Sequence, residues 1–220
     1  MYPGQQAAAG IPVPNPLPIS WLGRLDAPPR PPNWAKIGNF TTAQIQNLLA
    51  QIAYDISGWD YSKIGVSNQL GRYQFTTQQL ETYGLLATGA NQAYGTDSVN
   101  YRNCWQPMVY NTGVNNYENY FYNVKSLSEF LATTMAQEHL AYQYFVDLYT
   151  GCVDAGVILP EDSIDVVAGL VYVAWTLGVG TNPTVPNPNG TGAWAWRYNN
   201  VGSGINSYNS GRYSIYVLNQ

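Results

Sequence analysis

Hydrophobic residues recur at helical spacing from residue 45 onward. Apolar and polar positions alternate in steps of three and four, which is the repeat of an amphipathic helix and not of a strand. Thr41 and Gln44 precede this stretch with the spacing of a capping box, in which each side chain bonds the other residue's backbone N–H. We therefore expect a helix that begins near Thr41 and ends by Gly58. Its apolar positions are Ile45, Leu48, Leu49, Ile52, Ala53 and Ile56.

A second repeat predicts one long helix after residue 126. Ser126 and Glu129 form another capping-box pattern, and Gly151 or Gly156 offers a place for the helix to end. The apolar positions available for one face of this helix are Leu127, Phe130, Leu131, Met135, Tyr142, Phe145 and Leu148.

The most apolar stretch of the chain follows Pro160, a residue that is favoured at the start of a helix. Gly178 and Gly180 then mark its end. We expect this helix, including Trp175, at the centre of the core, because a helix that is apolar all round is normally buried. Its periodic positions are Ile164, Val167, Ala168, Val171, Ala174 and Trp175.

Turn-forming residues separate these helices. Residues 58–75 predict a loop or small hairpin, and Thr76 with Gln79 predicts a capped short helix after it. Residues 84–123, rich in Asn, Tyr and Gly, predict loops with one or two short helices. The predicted fold class is therefore mainly α, with a small loop or hairpin region. Two more segments are predicted as a loop and as a loop followed by a short helix or strand, respectively residues 181–192 and 206–220.

Residues 1–35 differ from the rest of the chain because they hold nine of its fourteen prolines. Such a segment favours extended polyproline II over helix or sheet. A solvated tail is one interpretation. The presence of Ile19, Trp21, Leu22 and Trp34 favours another, an extended arm that docks on a partner or on its own domain. The predicted organisation is an arm over 1–35 and one domain over 36–220.

The composition limits the classes of function. Hydrophobic residues make up 45% of the 220 residues, enough for a core, but charged residues make up only 10%. A free enzyme usually needs more surface charge for solubility, so the surface is that of a carbohydrate binder or of a protein covered by neighbours. The net charge of −4 argues against nucleic acid as a partner, because the sequence shows no basic patch to neutralise phosphates.

The cysteines and the hydrophobic runs give little further information about the class of protein. Cys104 and Cys152 pair only if their Cα atoms approach within about 7 Å, so a disulfide and two free thiols both stay open. No charged segment with an apolar core opens the chain, and we expect no signal peptide. The longest apolar run, 166–177, is too short for a membrane span.

Three carboxylates are candidates for glycosidic chemistry, which needs an acid held protonated against the leaving oxygen. Asp55 lies at a predicted helix end, where partial burial and the helix dipole would both disfavour its charged form. Asp60 lies in the following turn, and Glu138 lies within the long helix. The structural alternatives are a polar helix end for Asp55, a turn former for Asp60 and a solvated or buried structural carboxylate for Glu138.

Aromatic residues surround these candidates, and their rings can stack on sugars while Asn and Gln bind hydroxyls. Core packing is the alternative for most of them, whereas Trp194 and Trp196, in a Gly-rich segment, are the better candidates for surface rings. His139 is the single histidine. One His without a Cys/His cluster cannot make a typical zinc site, and no phosphate loop or nucleophile triad is visible. We therefore expect no metal and no cofactor.

Five short motifs in order resemble a phage-associated lysozyme-like family related to lytic transglycosylases. Typical members carry Glu-Ser-Gly-x-x-Tyr, Gly-Lys-Tyr-Gln-Phe, Ala-Gln-Glu, Val-Ala-Gly with Leu-Gly-x-Gly, and Asn-x-Gly-Arg-Tyr. The matching segments are 57–61, 71–75, 136–138, 167–169 with 177–180, and 209–213. The resemblance covers about residues 42–216 and implies a lysozyme-like α+β fold.

The resemblance also implies site residues. Ser57, Tyr61, Tyr73 and Gln74 match positions of the family's sugar-binding site. Ile56 stands where the family carries its catalytic Glu, and Asp55 is one position away. One position on a helix is a rotation of about 100°, and a displacement of about 1 Å can cost about 100-fold in rate.

These observations lead to one hypothesis and two alternatives. We expect a virion protein of a phage tail or baseplate, made in the host cytoplasm, that binds peptidoglycan glycan and contacts other tail proteins through its arm. Its catalytic activity is expected to be reduced or lost. The alternatives are an active muramidase or lytic transglycosylase with Asp55 as the acid, assisted by Asp60 or Glu138, and a purely structural scaffold.

Overall fold

Helices dominate the structure, a computed structural model that describes residues 35–111, 119–180, 192–199 and 205–214. The described part of the chain is thus mainly helical, which confirms the predicted class. The helices are α1 (Thr42–Ser57), α2 (Thr77–Thr82), α3 (Ala90–Tyr94), α4 (Leu127–Ala132), α5 (Thr134–Asp154), α6 (Ile164–Leu177), α7 (Gly192–Asn199) and α8 (Ile205–Ser214). Short 3₁₀ helices cover Gly95–Asn100 and Arg102–Cys104, and strands β1 (Met108–Asn111) and β2 (Asn119–Tyr122) pair antiparallel with Met108 opposite Tyr122.

The chain divides into two compact units. The first contains Lys36–Ile52 and Gln143–Gln220, and the second contains Ala53–Tyr142 together with Ala35. Residues 1–34, which make up almost all of the predicted arm, lie outside the described residues, as do residues 181–191 of the loop predicted over 181–192, whose last residue begins α7. The division into arm and domain therefore stays a prediction.

Two of the three predicted capping boxes are confirmed, whereas the cap at Ser126 consists of one bond, from Glu129 N–H to the Ser126 hydroxyl at 3.2 Å. At the start of α1, Gln44 N–H donates to Thr41 Oγ1 at 3.2 Å, and Thr41 N–H donates to Gln44 Oε1 at 2.9 Å. The same reciprocal bonds join Thr76 and Gln79 before α2. Each box satisfies backbone donors that the first turn of a helix leaves without partners.

Helix α6 forms the core of the first unit, as predicted, with residues 165–174 all buried. Helix α8 packs against it through small residues, since a Cβ on Gly169 would overlap the Tyr208 ring and one on Gly211 would overlap the backbone of Ala168. An ion pair completes this contact, in which Arg212 Nη2 lies 2.6 Å from Asp165 Oδ2. The motifs 167–169 and 209–213 thus meet as a helix–helix packing contact.

The single long helix predicted after Ser126 is wrong. The helix is interrupted at Thr133, whose φ of −97° and ψ of 80° are not helical. Helices α4 and α5 are therefore separate. The break is stabilised because the Thr133 hydroxyl bonds the Glu129 carbonyl at 2.7 Å, and Gln137 Nε2 donates to the Phe130 carbonyl at 3.1 Å. Side chains thereby replace the helical bonds that are lost.

Three other expectations for the first unit need correction. Trp194 and Trp196 are buried on α7 and are not surface rings in a loop. Helix α6 begins at Ile164, about one turn after Pro160, and Trp175 near its end is only half-buried. The described part of the C-terminal segment, up to Ser214, is helical from its start, and its periodicity was hidden by Asn, Ser and Gly, which are weak helix formers.

Cys104 and Cys152 are both buried free thiols. Within the described ranges, no helix is both long and apolar enough to cross a membrane.

Candidate functional site

A buried carboxylate in the second unit brings three of the sequence motifs together. Glu138 on α5 is fully buried and accepts hydrogen bonds from the hydroxyls of Tyr61 and Tyr73, each at 2.7 Å. Arg72 lies beside this carboxylate, and Gln137 bonds the backbone of Arg72 and of Tyr61. We call these five residues the Glu138 cluster. Its members come from the 57–61, 71–75 and 136–138 motifs.

Charge balance in the Glu138 cluster comes from Arg72, which is itself buried. Its Nε lies 3.6 Å from Glu138 Oε1, and its guanidinium carbon lies 4.9 Å from the centre of the Tyr61 ring. A buried carboxylate needs both an opposite charge and hydrogen bonds. Burial, and next the Glu138 charge, raise the pKa of Tyr73 well above its usual value, so its hydroxyl stays a donor.

Gln137 holds the loop over 58–75 to the helices beneath it. Its Oε1 accepts from Arg72 N–H at 2.9 Å, and its Nε2 donates to the Tyr61 carbonyl at 3.1 Å. Gly71 is required here because its φ is +73° and a Cβ would overlap the Gln137 side chain. The close contact between Gly71 and Gln137 explains why the motifs over 71–75 and 136–138 occur together.

Inside the loop, Gln74 has a structural role. Its φ is +50°, and its Nε2 donates to the Gly71 carbonyl at 2.9 Å, which closes the turn. Lys63 ties the loop back to α1 because its Nζ donates to the Ile56 carbonyl at 2.8 Å. A cation at the C-terminus of a helix is favourable because carbonyls are exposed there.

An exposed surface forms at the end of α1. Asp55 is exposed, so its expected partial burial is wrong. Tyr54 is 37% exposed, and the centre of its ring lies 4.8 Å from the centre of the Trp59 ring. The backbone of Trp59 has a φ of +69°. We call Tyr54, Asp55 and Trp59 the Asp55 face. Ile56, the next residue along α1, is half-buried.

Asp60 is exposed and serves its own turn. Its Oδ1 accepts from the Ser62 hydroxyl at 2.6 Å and from Ser62 N–H at 2.8 Å. These bonds, the hydroxyl first, hold the pKa of Asp60 below its usual value. A carboxyl that is ionised this readily is a poor proton donor, which agrees with the turn-former interpretation.

The predicted site residues therefore fall into different environments. Tyr61, Tyr73 and Glu138 are brought together in a buried cluster, whereas Asp55 and Asp60 are exposed. Ser57 is buried, and its hydroxyl donates within α1 to the Ala53 carbonyl at 2.8 Å. Gln74 is half-buried within its turn.

Arg72, Gln137 and Tyr54 were missed as site residues. Arg72 and Gln137 lie within the motifs over 71–75 and 136–138. The signal for Arg72 was its charge in a segment with few charged residues. No signal in the sequence pointed to Tyr54, because its exposure depends on its place at the end of α1. No group of three or more His, Cys, Asp or Glu that could hold a metal ion occurs in the ranges that the structure covers.

Comparisons with known proteins found no similarity. No protein-family model matches the chain, and no match was found among curated proteins or solved structures.

Proposed function

We propose that this chain is a phage virion protein with a lysozyme-like domain that binds peptidoglycan glycan and has little or no catalytic activity. The observation that carries the proposal is the Asp55 face, where the exposed Asp55 follows Tyr54 in the sequence and the partly exposed Tyr54 ring contacts the ring of Trp59. Glycan binding sites combine rings that stack on apolar sugar faces with polar groups that bind hydroxyls. The Glu138 cluster supports this face because it fixes the loop that follows α1.

Weak catalysis follows from the positions of the three carboxylates. Glu138 is enclosed by Tyr61, Tyr73 and Arg72, so a substrate oxygen does not reach it. The pKa of Asp60 is lowered by Ser62. Asp55 is exposed to water, unlike the enclosed acid of a typical glycosidase, and is displaced by one helix position from the family's Glu.

The virion assignment rests on composition and on the arm. Only 10% of the residues are charged, which suits a surface covered by neighbouring proteins. We propose that residues 1–35 bind other tail or baseplate proteins, with the remainder of the chain presented to the cell wall.

The test is a pull-down with purified peptidoglycan together with release of soluble glycan. We expect binding without release. Tyr54→Ala should weaken binding several-fold because it removes one ring of the Asp55 face. Val153→Ala, which shortens an exposed apolar side chain elsewhere, is the matched control and should bind normally.

Catalytic variants separate the alternatives. Release of glycan by the natural protein, lost in Asp55→Asn but kept in Asp154→Asn, would identify an enzyme with a relocated acid. Asp154 is a suitable control because it is also an exposed aspartate at the end of a helix. Gain of release in Ile56→Glu would support a preserved cleft without its catalyst. Absence of both binding and release would overturn the proposal in favour of a scaffold.

A further inference from the structure

A groove in the second unit, lined by apolar and polar side chains, shares no lining residue with the Glu138 cluster or the Asp55 face. Its volume is about 350 Å³, within the range of about 300–1,000 Å³ that is usual for small-molecule sites. The side chains of Val99, Trp105 and Leu127 supply apolar surface. The polar lining consists of Asn100, Arg102, Ser126 and Ser128.

Buried contacts hold the walls of this groove. Trp105 Nε1 donates to the Val99 carbonyl at 2.8 Å. This bond joins Trp105, which follows the second 3₁₀ helix, to the first 3₁₀ helix. The Trp105 ring packs 5.7 Å from that of Phe130 on α4. Because the groove is pre-formed, little conformational entropy is lost when a ligand binds.

Two tyrosines in ring contact stand next to the groove in the sequence. Tyr94 and Tyr101 are each 46% exposed, and their ring centres are 4.7 Å apart. Tyr101 lies between the two groove residues Asn100 and Arg102. An exposed aromatic pair is unusual for packing alone, and its flat apolar faces suit the apolar face of a pyranose ring.

The polar groups of the groove define the charge of the ligand. Arg102 is exposed and is the positively charged residue of the lining. Its planar guanidinium group can form two parallel hydrogen bonds to a carboxylate. Asn100 can both donate to and accept from hydroxyl or acetamido groups, and the two serines add hydroxyls. No Asp or Glu is among the residues that line the groove, so an anionic ligand meets no repulsion from the lining.

We propose that this groove, with Tyr101 at its edge, binds a saccharide that carries a carboxylate. Arg102 pairs with the carboxylate, Asn100 bonds the neighbouring polar groups, and Tyr101 stacks on the sugar ring. The choice of a muramic-acid sugar as probe rests on the proposed function, whereas the preference for a carboxylate rests on the groove alone.

The experiment is a calorimetric titration of the full chain with two disaccharides that differ in one carboxylate. N-acetylglucosaminyl-N-acetylmuramic acid has a lactyl carboxylate, and di-N-acetylchitobiose lacks it. We expect the muramic-acid disaccharide to bind more tightly. Arg102→Gln should weaken its binding about tenfold and remove the difference between the ligands, as expected for the loss of a charged hydrogen bond.

Two further variants complete the test. Tyr101→Ala should weaken binding of both disaccharides about fivefold, since stacking does not depend on the carboxylate. Lys36→Gln removes an exposed positive charge in the first unit and should leave binding unchanged, which excludes a general effect of net charge. Circular dichroism of each variant shows whether it is folded.

Equal affinity for both disaccharides, an unchanged affinity in Arg102→Gln, or no binding of either sugar would overturn this inference. Retention on whole peptidoglycan by the same Arg102→Gln protein would leave the proposed function standing. The two proposals therefore fail on different measurements.

Discussion

Glu138 shows how one buried charge organises a loop. Its two oxygens accept from Tyr61 and Tyr73, and Arg72 lies close to one of them. A buried ion pair adds little net stability compared with apolar packing, but the loss of one partner leaves the other charge uncompensated. The position of the 58–75 loop thus depends on the Glu138 carboxylate and its three partners.

Glu138→Gln is expected to destabilise the protein by about 3 kcal/mol, because Arg72 is left buried without its counter-charge. Urea unfolding followed by circular dichroism measures the change. Glu161→Gln is the control, since Glu161 is exposed, and it should shift the free energy of unfolding by less than about 0.5 kcal/mol. Equal stability of the two variants would show that the charge of Glu138 does not hold the loop.

His139, the next residue, gives a pH dependence that can be measured directly. Burial lowers its pKa from the usual value to about 4, so the folded state binds its proton less tightly than the unfolded state does. The stability associated with neutral His139 is fully present above about pH 6.5 and is lost as the pH falls towards 4. An NMR titration of the single histidine should give a midpoint near 4, and a midpoint near 6.5 would contradict the buried environment.

At the scale of elements, glycines decide how closely helices approach. Gly169 on α6 lies against the Tyr208 ring of α8, and Gly211 on α8 lies against the backbone of Ala168. The pair Arg212–Asp165 then bonds across this contact. Any side chain at either glycine must separate the helices and lengthen these bonds.

Gly169→Ala should destabilise the protein by about 1–3 kcal/mol, the usual cost of overpacking a core. Gly151→Ala is the matched control, because Gly151 also lies within a helix and a Cβ there meets only the Val179 side chain at 3.3 Å. That variant should be neutral or slightly stabilising, as Ala is the better helix former. Thermal melts of both variants provide the comparison, and a neutral Gly169→Ala would contradict the close packing.

At the scale of the whole molecule, composition and motif order add support to the proposed virion role. Three of the five motifs meet at Glu138 in the second unit, and the other two meet between α6 and α8 in the first unit. A low content of charge and a proline-rich arm add the proposal of a virion component with many neighbours.

Deletion of residues 1–34 tests the role of the arm. Ala35 is retained because its backbone N–H donates to the Tyr142 hydroxyl at 3.0 Å. We expect the helical content and melting temperature of the remainder to be preserved, and incorporation into particles to be lost. Immunoblots of purified particles give the second result, and normal incorporation without the arm would refute its proposed contact with other tail proteins.

The sequence predicted well what depends on neighbours along the chain. The capping boxes at Thr41 and Thr76, the end of α6 at Gly178 and the burial of α6 follow from local hydrogen bonding and hydrophobic spacing. The break at Thr133 could not be foreseen, because the bond that satisfies Phe130 comes from Gln137 and depends on the fold. Trp194 and Trp196 were placed on the surface for the same reason, since their Gly-rich context does not reveal what covers them.

By itself, the sequence determined a mainly helical protein, its principal helices and the residues from which a site could be built. Only the tertiary structure decided which of these residues share an environment. It enclosed Glu138 between two tyrosines and Arg72 and left Asp55 exposed at the end of α1. The physical reason is that local hydrogen bonds and apolar periodicity are encoded within a few residues, whereas burial and charge pairing depend on segments that are distant in the chain.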